Sequence, residues 1–153
     1  MSEQRTLPFL WCRIGEQSYG IPIVHVIEVA AMVTFSSLPE ANPSVRGVIN
    51  RRGEVLPLLD LRHVFEAPMT SLTPETLFIV IQGQTQRAGL IVDEVYQVKY
   101  WPTSQVFAAP RTTRFIETIV SDETGLIQII ALEALLAHTL VGTSLPPHSE
   151  ARL

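Results

Sequence analysis

Val45-Arg46-Gly47-Val48-Ile49-Asn50-Arg51-Arg52-Gly53-Glu54-Val55-Leu56-Pro57-Leu58-Leu59-Asp60-Leu61-Arg62 is the stretch on which the fold turns. Two apolar runs, Val48-Ile49 and Val55 to Leu61, flank the polar turn Asn50-Arg51-Arg52-Gly53. Asn tolerates left-handed backbone and Gly adopts positive φ without a steric cost, so the segment is a β-hairpin. Its tip displays two guanidinium groups on a rigid support, as a docking surface would. Val55, Pro57, Leu59 and Leu61 share one face of the second strand, with Leu56 and Leu58 on the other. A strand apolar on both faces is a buried strand. Glu54, Asp60 and Arg62, at its ends, are expected to reach water. Pro57 cannot donate to a ladder, which predicts an edge position or a bulge there.

A chain of 153 residues is one domain by length and can bury a full core. Apolar residues make up 46% and prolines number 11, which suits a compact strand-rich domain rather than disorder. The net charge of −4 comes without a basic stripe to track phosphate, so nucleic acid is not an expected partner. All the basic residues but Lys99 are Arg, a bias that suits protein interfaces and equally a GC-rich genome. Cys12 is the one cysteine, so no internal disulfide forms. No apolar signal core follows Met1, and Gln128, Glu133 and His138 interrupt the best candidate membrane span; the expectation is a cytoplasmic protein without membrane insertion.

Outward from the hairpin, Pro8–Ile14 and Tyr19–Ile23 form an opening hairpin with Cys12 buried in its first strand. Val24–Val33 is a strand by its β-branched content, in which Glu28 either faces solvent or makes a contact. Asn42 to Gly47 resembles one helical turn, capped by Asn42 and ended by Gly47. After the loop 67–74, Leu77–Ile81 pairs with a return strand Arg87–Val98, where Gly89 predicts close approach of another backbone. Residues 101–110 read as irregular, Phe115–Ser121 and Leu126–Ile130 as the last strands. Leu132, Leu135, Leu136 and Leu140 then fall at helical spacing, with Gly142 as a stop. This gives about eight or nine short strands and one helix, a β-barrel or sandwich.

Catalytic signatures are missing: there is no Walker loop, no dinucleotide fingerprint and no nucleophile elbow. His25, His63, His138 and His148 have no metal-ligand spacing, so no metal or other cofactor is implied. Asp93 and Glu94, adjacent in a strand, point to opposite faces and do not make a carboxylate pair.

Gly47-Val48-Ile49-Asn50-Arg51-Arg52-Gly53 and Pro57-Leu58-Leu59-Asp60-Leu61-Arg62 closely resemble the hairpin of CheW-like domains, the coupling modules of bacterial chemotaxis. Phe9-Leu10 with Tyr19-Gly20-Ile21, Val26-Ile27-Glu28-Val29, Ala88 to Val95 and Leu132 to Leu136 resemble further family segments in the same order, across residues 8 to 140. The resemblance implies a mainly β fold of two SH3-like five-stranded barrels on a shared hydrophobic core, with a short C-terminal helix. The chain is expected to divide into a lead at 1–7, the domain at 8–142 and a flexible tail at 143–153. The resemblance also implies a non-catalytic adaptor that bridges the cytoplasmic tips of chemoreceptors to the regulatory domain of a CheA-type histidine kinase. An adaptor of a non-flagellar system such as twitching motility, and a peptide-binding barrel, are the other readings. Carried over by motif, Val26, Glu28, Gly47, Asn50, Arg52, Gly53 and Val95 form the receptor/kinase interface. Arg52 is the leading receptor contact and Arg51 a solvated neighbour. The chain departs from the family pattern at Glu117-Thr118-Ile119, where a small Gly is common, and at Ala131, which removes a helix cap.

Overall fold

The computed structural model describes residues 6–38, 42–102, 105–110, 114–123 and 125–140. Its strands are β1 (Thr6–Ile14), β2 (Gln17–Pro22), β3 (Val26–Ala31), β4 (Val45–Arg51), β5 (Glu54–Asp60), β6 (Leu77–Gln82), β7 (Arg87–Val92), β8 (Glu94–Pro102), β9 (Val106–Ala108), β10 (Ile116–Asp122) and β11 (Gly125–Ile130). Two helices, α1 (Leu61–Val64) and α2 (Leu132–Thr139), complete them. Six strands form one sheet in the order β8-β1-β2-β11-β10-β9, and five form the other in the order β3-β6-β7-β5-β4. The second unit is therefore inserted between the halves of the first. Gly142 and the tail lie outside the described residues.

The five-stranded sheet curls until its edges meet. Ser36, beyond β3, exchanges backbone hydrogen bonds of 2.9 and 2.8 Å with Val48 of β4. Gly47 lies under this seam, where a Cβ would overlap the Ser36 carbonyl. Gly89 makes the predicted close approach, but to side chains: a Cβ would press on Phe78 at 3.0 Å and Leu58 at 3.1 Å.

Apolar side chains sort into three clusters. Ile49, Leu56, Leu58, Phe78, Val80 and Ile91 fill the five-stranded unit. Phe9, Val120, Ile127 and Ile129 fill the six-stranded one. Between them lies the largest cluster, to which β1 gives Cys12 and Ile14, β5 Leu59, β6 Ile79, β7 Leu90 and α2 Leu135. The doubly apolar β5 serves two cores, with Leu56 and Leu58 facing one and Leu59 facing the other. The four leucines expected on one face of α2 are all buried.

Several expectations are corrected. Strand β5 sits inside its sheet between β4 and β7, not at an edge. Pro57 is tolerated because its partner Val48 directs both backbone polar groups to Ser36, and the pairing with β7 starts only at Leu58. The irregularity lies instead between Val45 and Gly47. Asp60 and Arg62 do not reach water: they are 0% and 1% exposed and form a buried pair. Asn42 starts a tight turn rather than a helical one, its Oδ1 accepting from the Ser44 N–H at 2.8 Å. The expected strand Arg87–Val98 breaks at Asp93. There the N–H donates to Arg13 O at 3.0 Å and the carboxylate accepts from Gly15 N at 2.6 Å, handing the chain from one sheet to the other. The span 101–110, expected to be irregular, contains the end of β8 and the short β9.

Cys12 is 0% exposed, and burial pushes its thiol up to about 12. A thiolate is the nucleophile, so an aromatic disulfide reagent should label Cys12 only after denaturation. Stoichiometric labelling of the native chain within minutes would contradict this burial.

Candidate functional site

The hairpin tip is a two-residue turn. Arg51 pairs with Glu54, leaving Arg52 and Gly53 at the corners with φ of 54° and 85°. Both corners are left-handed, the geometry that matches the right-handed twist of the flanking strands. The left-handed residue is thus Arg52 rather than Asn50. Asn50 instead fixes the turn from the side, its Oδ1 accepting from the Gly53 N–H at 3.0 Å.

Glu28 organises the charges. It lies on β3, at the opposite edge of the sheet from β4, and the curl brings it under the tip. Arg51 grips it with two hydrogen bonds, Nε to Oε2 at 2.9 Å and NH2 to Oε1 at 3.1 Å. Arg52 adds one from NH1 at 2.7 Å. The side chains of Glu28 and Arg51 are 23% and 22% exposed, whereas that of Arg52 is 74% exposed. The Arg51 guanidinium also lies 5.7 Å from the Phe78 ring centre. Arg51 is therefore no solvated neighbour but the brace of the tip, and Arg52 is the charge left facing outward. A two-point grip by Arg is stronger and more directional than a single contact.

Hydrogen bonds from Arg51 first, then from Arg52, hold the Glu28 carboxyl down at about 2 against the opposing effect of desolvation. Because this folded value lies below the ordinary one, the unfolded chain takes up the proton first. The brace therefore contributes fully above about pH 5 and is lost as pH falls toward 2. Carbon-detected NMR titration of the Glu28 carboxyl should show that low midpoint; a midpoint of about 4.3, the unperturbed value, would refute the brace.

Of the residues singled out from sequence, Glu28, Asn50, Arg52 and Gly53 come together at the tip, with Gly47 at the seam just behind it. Val26 and Val95 do not join them; both are half-buried against the shared core. The brace role of Arg51 escaped the sequence reading. Its signal was an acid, Glu28, alone in an apolar strand. Among the described residues no three His, Cys, Asp or Glu side chains converge as a metal site, and no helix is long and apolar enough to cross a membrane.

Two β units on one core present a braced, charged hairpin. The chain belongs to the CheW-like domain family, whose model matches residues 8–140. The chemotaxis protein CheW of Bacillus subtilis is 33% identical over 80% of this chain and 82% of its own length. The CheW of Helicobacter pylori is 28% identical over 71% of this chain and 66% of its own length. A scaffolding protein, TtCheW of Thermoanaerobacter tengcongensis, superposes with a TM-score of 0.75 at 28% identity, over 84% of this chain and 89% of that one. The family consists of non-catalytic scaffold and adaptor proteins, and this chain is one of them. Proteins with other names match too, among them FrzA of Myxococcus xanthus, 31% identical over 67% of this chain and 61% of its own length.

Proposed function

We propose that this protein couples the cytoplasmic tips of chemoreceptors to the regulatory domain of a CheA-type histidine kinase, working in the cytoplasm at receptor arrays. The observation that carries this reading is the outward Arg52 on a turn whose position is set by the Glu28–Arg51 grip. A fixed cation loses little conformational freedom when a partner carboxylate meets it, which is how a scaffold gains specificity from few contacts. Coupling of this kind is geometric: both partners are held in register, and the receptor state that fits better biases the kinase. Val26, Gly47 and Val95 contribute shape rather than charge, at the seam and along the shared core.

The test is receptor capture by purified variants. Arg52→Glu should weaken receptor binding roughly thirty-fold or more, the range of interface hot spots, while the fold is retained because the side chain is exposed. Receptor and kinase capture at wild-type level by folded Arg52→Glu protein would overturn the assignment. The relative named FrzA favours one second reading, an adaptor of the same build serving a different receptor–kinase system. Reconstitution with each candidate kinase, read as autophosphorylation, separates the two.

A further inference from the structure

Away from the hairpin, α1 of the five-stranded unit faces Arg114, Phe115 and α2 of the other across a solvent-open depression of about 510 Å³, where His63, Met69 and Arg114 are exposed. It shares no lining residue with the depression around Glu28, Arg51 and Arg52. That volume falls within the range of small-ligand pockets.

Polar groups from both units line it. Arg114 lies over the Phe115 ring, 4.7 Å from its centre, and donates one N–H to His138 Nε2 at 2.9 Å. Among the described residues no carboxylate pairs with Arg114, so its remaining donors are open. His63, on α1, engages the Ser44 hydroxyl through Nδ1 at 2.8 Å and leaves Nε2 open. Arg62 also lines the cavity, but Asp60 holds its charge and it adds no free cation. Met69, 47% exposed, and Phe115 supply apolar wall.

The backbone is held in unusual shape at this place. Among the described residues three non-glycine residues have positive φ, and two of them line the cavity, Glu66 at 57° and Phe115 at 61°. Glu66 ends α1 at a position commonly given to glycine. Phe115 has a bulky side chain that makes the conformation costly, and such outliers gather at binding sites. One open guanidinium, one open imidazole nitrogen and a nearby acid, Glu66, fit a single negative charge and disfavour a polyanion.

We propose that this cavity binds a monoanionic carboxylate with an apolar body. The carboxylate meets Arg114 and His63, and the body lies against Met69 and Phe115. The same chemistry is offered by a free aromatic acid and by the C-terminus of a peptide. The experiment titrates the full chain with phenylacetate and with phenylacetamide, followed by the Met69 methyl and the His63 and His138 ring signals in NMR. Phenylacetate should move these signals along a saturating curve and the amide should not. Arg114→Gln should weaken binding about tenfold, the usual effect of losing a hydrogen bond to a charged group. A short peptide ending in a free Phe carboxylate, set against its C-terminal amide, identifies the source. Tighter binding of the peptide acid than of phenylacetate assigns a peptide, and weaker binding assigns a small acid. Equal response to phenylacetate and phenylacetamide, a linear response, or an unchanged affinity in Arg114→Gln would overturn the proposal.

Discussion

Asp60→Ala is expected to destabilise the protein by about 3–5 kcal/mol, the range for removing one partner of a buried ion pair. The Asp60 side chain is fully buried and accepts four hydrogen bonds: from Arg62 N at 3.0 Å, Arg62 Nε at 3.0 Å, Arg62 NH2 at 2.9 Å and Arg46 NH1 at 2.9 Å. Burial alone would raise its carboxyl, but the hydrogen bonds and charge of Arg62, with help from Arg46, outweigh it and hold the group below its ordinary value. Without that carboxylate, Arg62 stays buried with only the Thr70 hydroxyl at 3.0 Å and an Asp93 oxygen at 4.0 Å. The distant Asp93 takes up part of the loss, and α1 also loses the acceptor at its first turn. Urea denaturation should show the midpoint falling with an unchanged slope. A loss under about 1 kcal/mol would mean that the pair is a surface contact in solution. The charge itself is separable from the shape it fills. Asp60→Leu combined with Arg62→Met should recover most of the loss, since an apolar replacement of both buried partners leaves no buried charge orphaned and Arg46, 31% exposed, can turn to water.

That pair is also where sequence reasoning stopped short. Two charged residues closing an apolar strand look like the point where the chain surfaces, and pattern alone carries no other meaning for them. The contrary outcome depends on α1, whose first turn folds Arg62 back over Asp60, and a four-residue helix leaves no periodicity to detect. By contrast β5 was legible, because both of its faces are apolar and each face has its own core. The site was half legible for a related reason. Residue composition located the hairpin, but a two-residue turn rather than a four-residue one decides which arginine faces in. Side chains alternate along a strand, so a one-residue change in where the turn begins exchanges the roles of Arg51 and Arg52. Only the pairing of Arg51 with Glu54, and the curl that brings Glu28 beneath it, settles the choice. Asp93 hides in the same way: its break in an apolar strand is a change of sheet, visible only once Gly15 and Arg13 are near.

Leu90→Ala addresses how the two β units depend on one another. Leu90 is 0% exposed on β7 and belongs to the cluster shared by both sheets and α2. Truncation should cost about 2–5 kcal/mol, the transfer free energy of the lost methyl groups plus a cavity that a sheet interior closes poorly. The informative readout is where that loss appears. Among the described residues each unit's private cluster is small, four buried residues in the six-stranded unit and six in the five-stranded one. Neither offsets by itself the conformational entropy of its strands, so both rely on the shared cluster. Amide hydrogen exchange in β2, which Leu90's own sheet does not contain, should therefore lose protection by the same free energy as exchange in β6. Phe78→Ala, in the private cluster of the five-stranded unit, should cost about 3–5 kcal/mol and serves as the control for damage that begins within one unit. If Leu90→Ala releases β6 and leaves β2 protected, the units fold separately. The scaffold would then be two β units in contact, and a rigid path from the Arg52 hairpin to the other unit would be lost with the shared core.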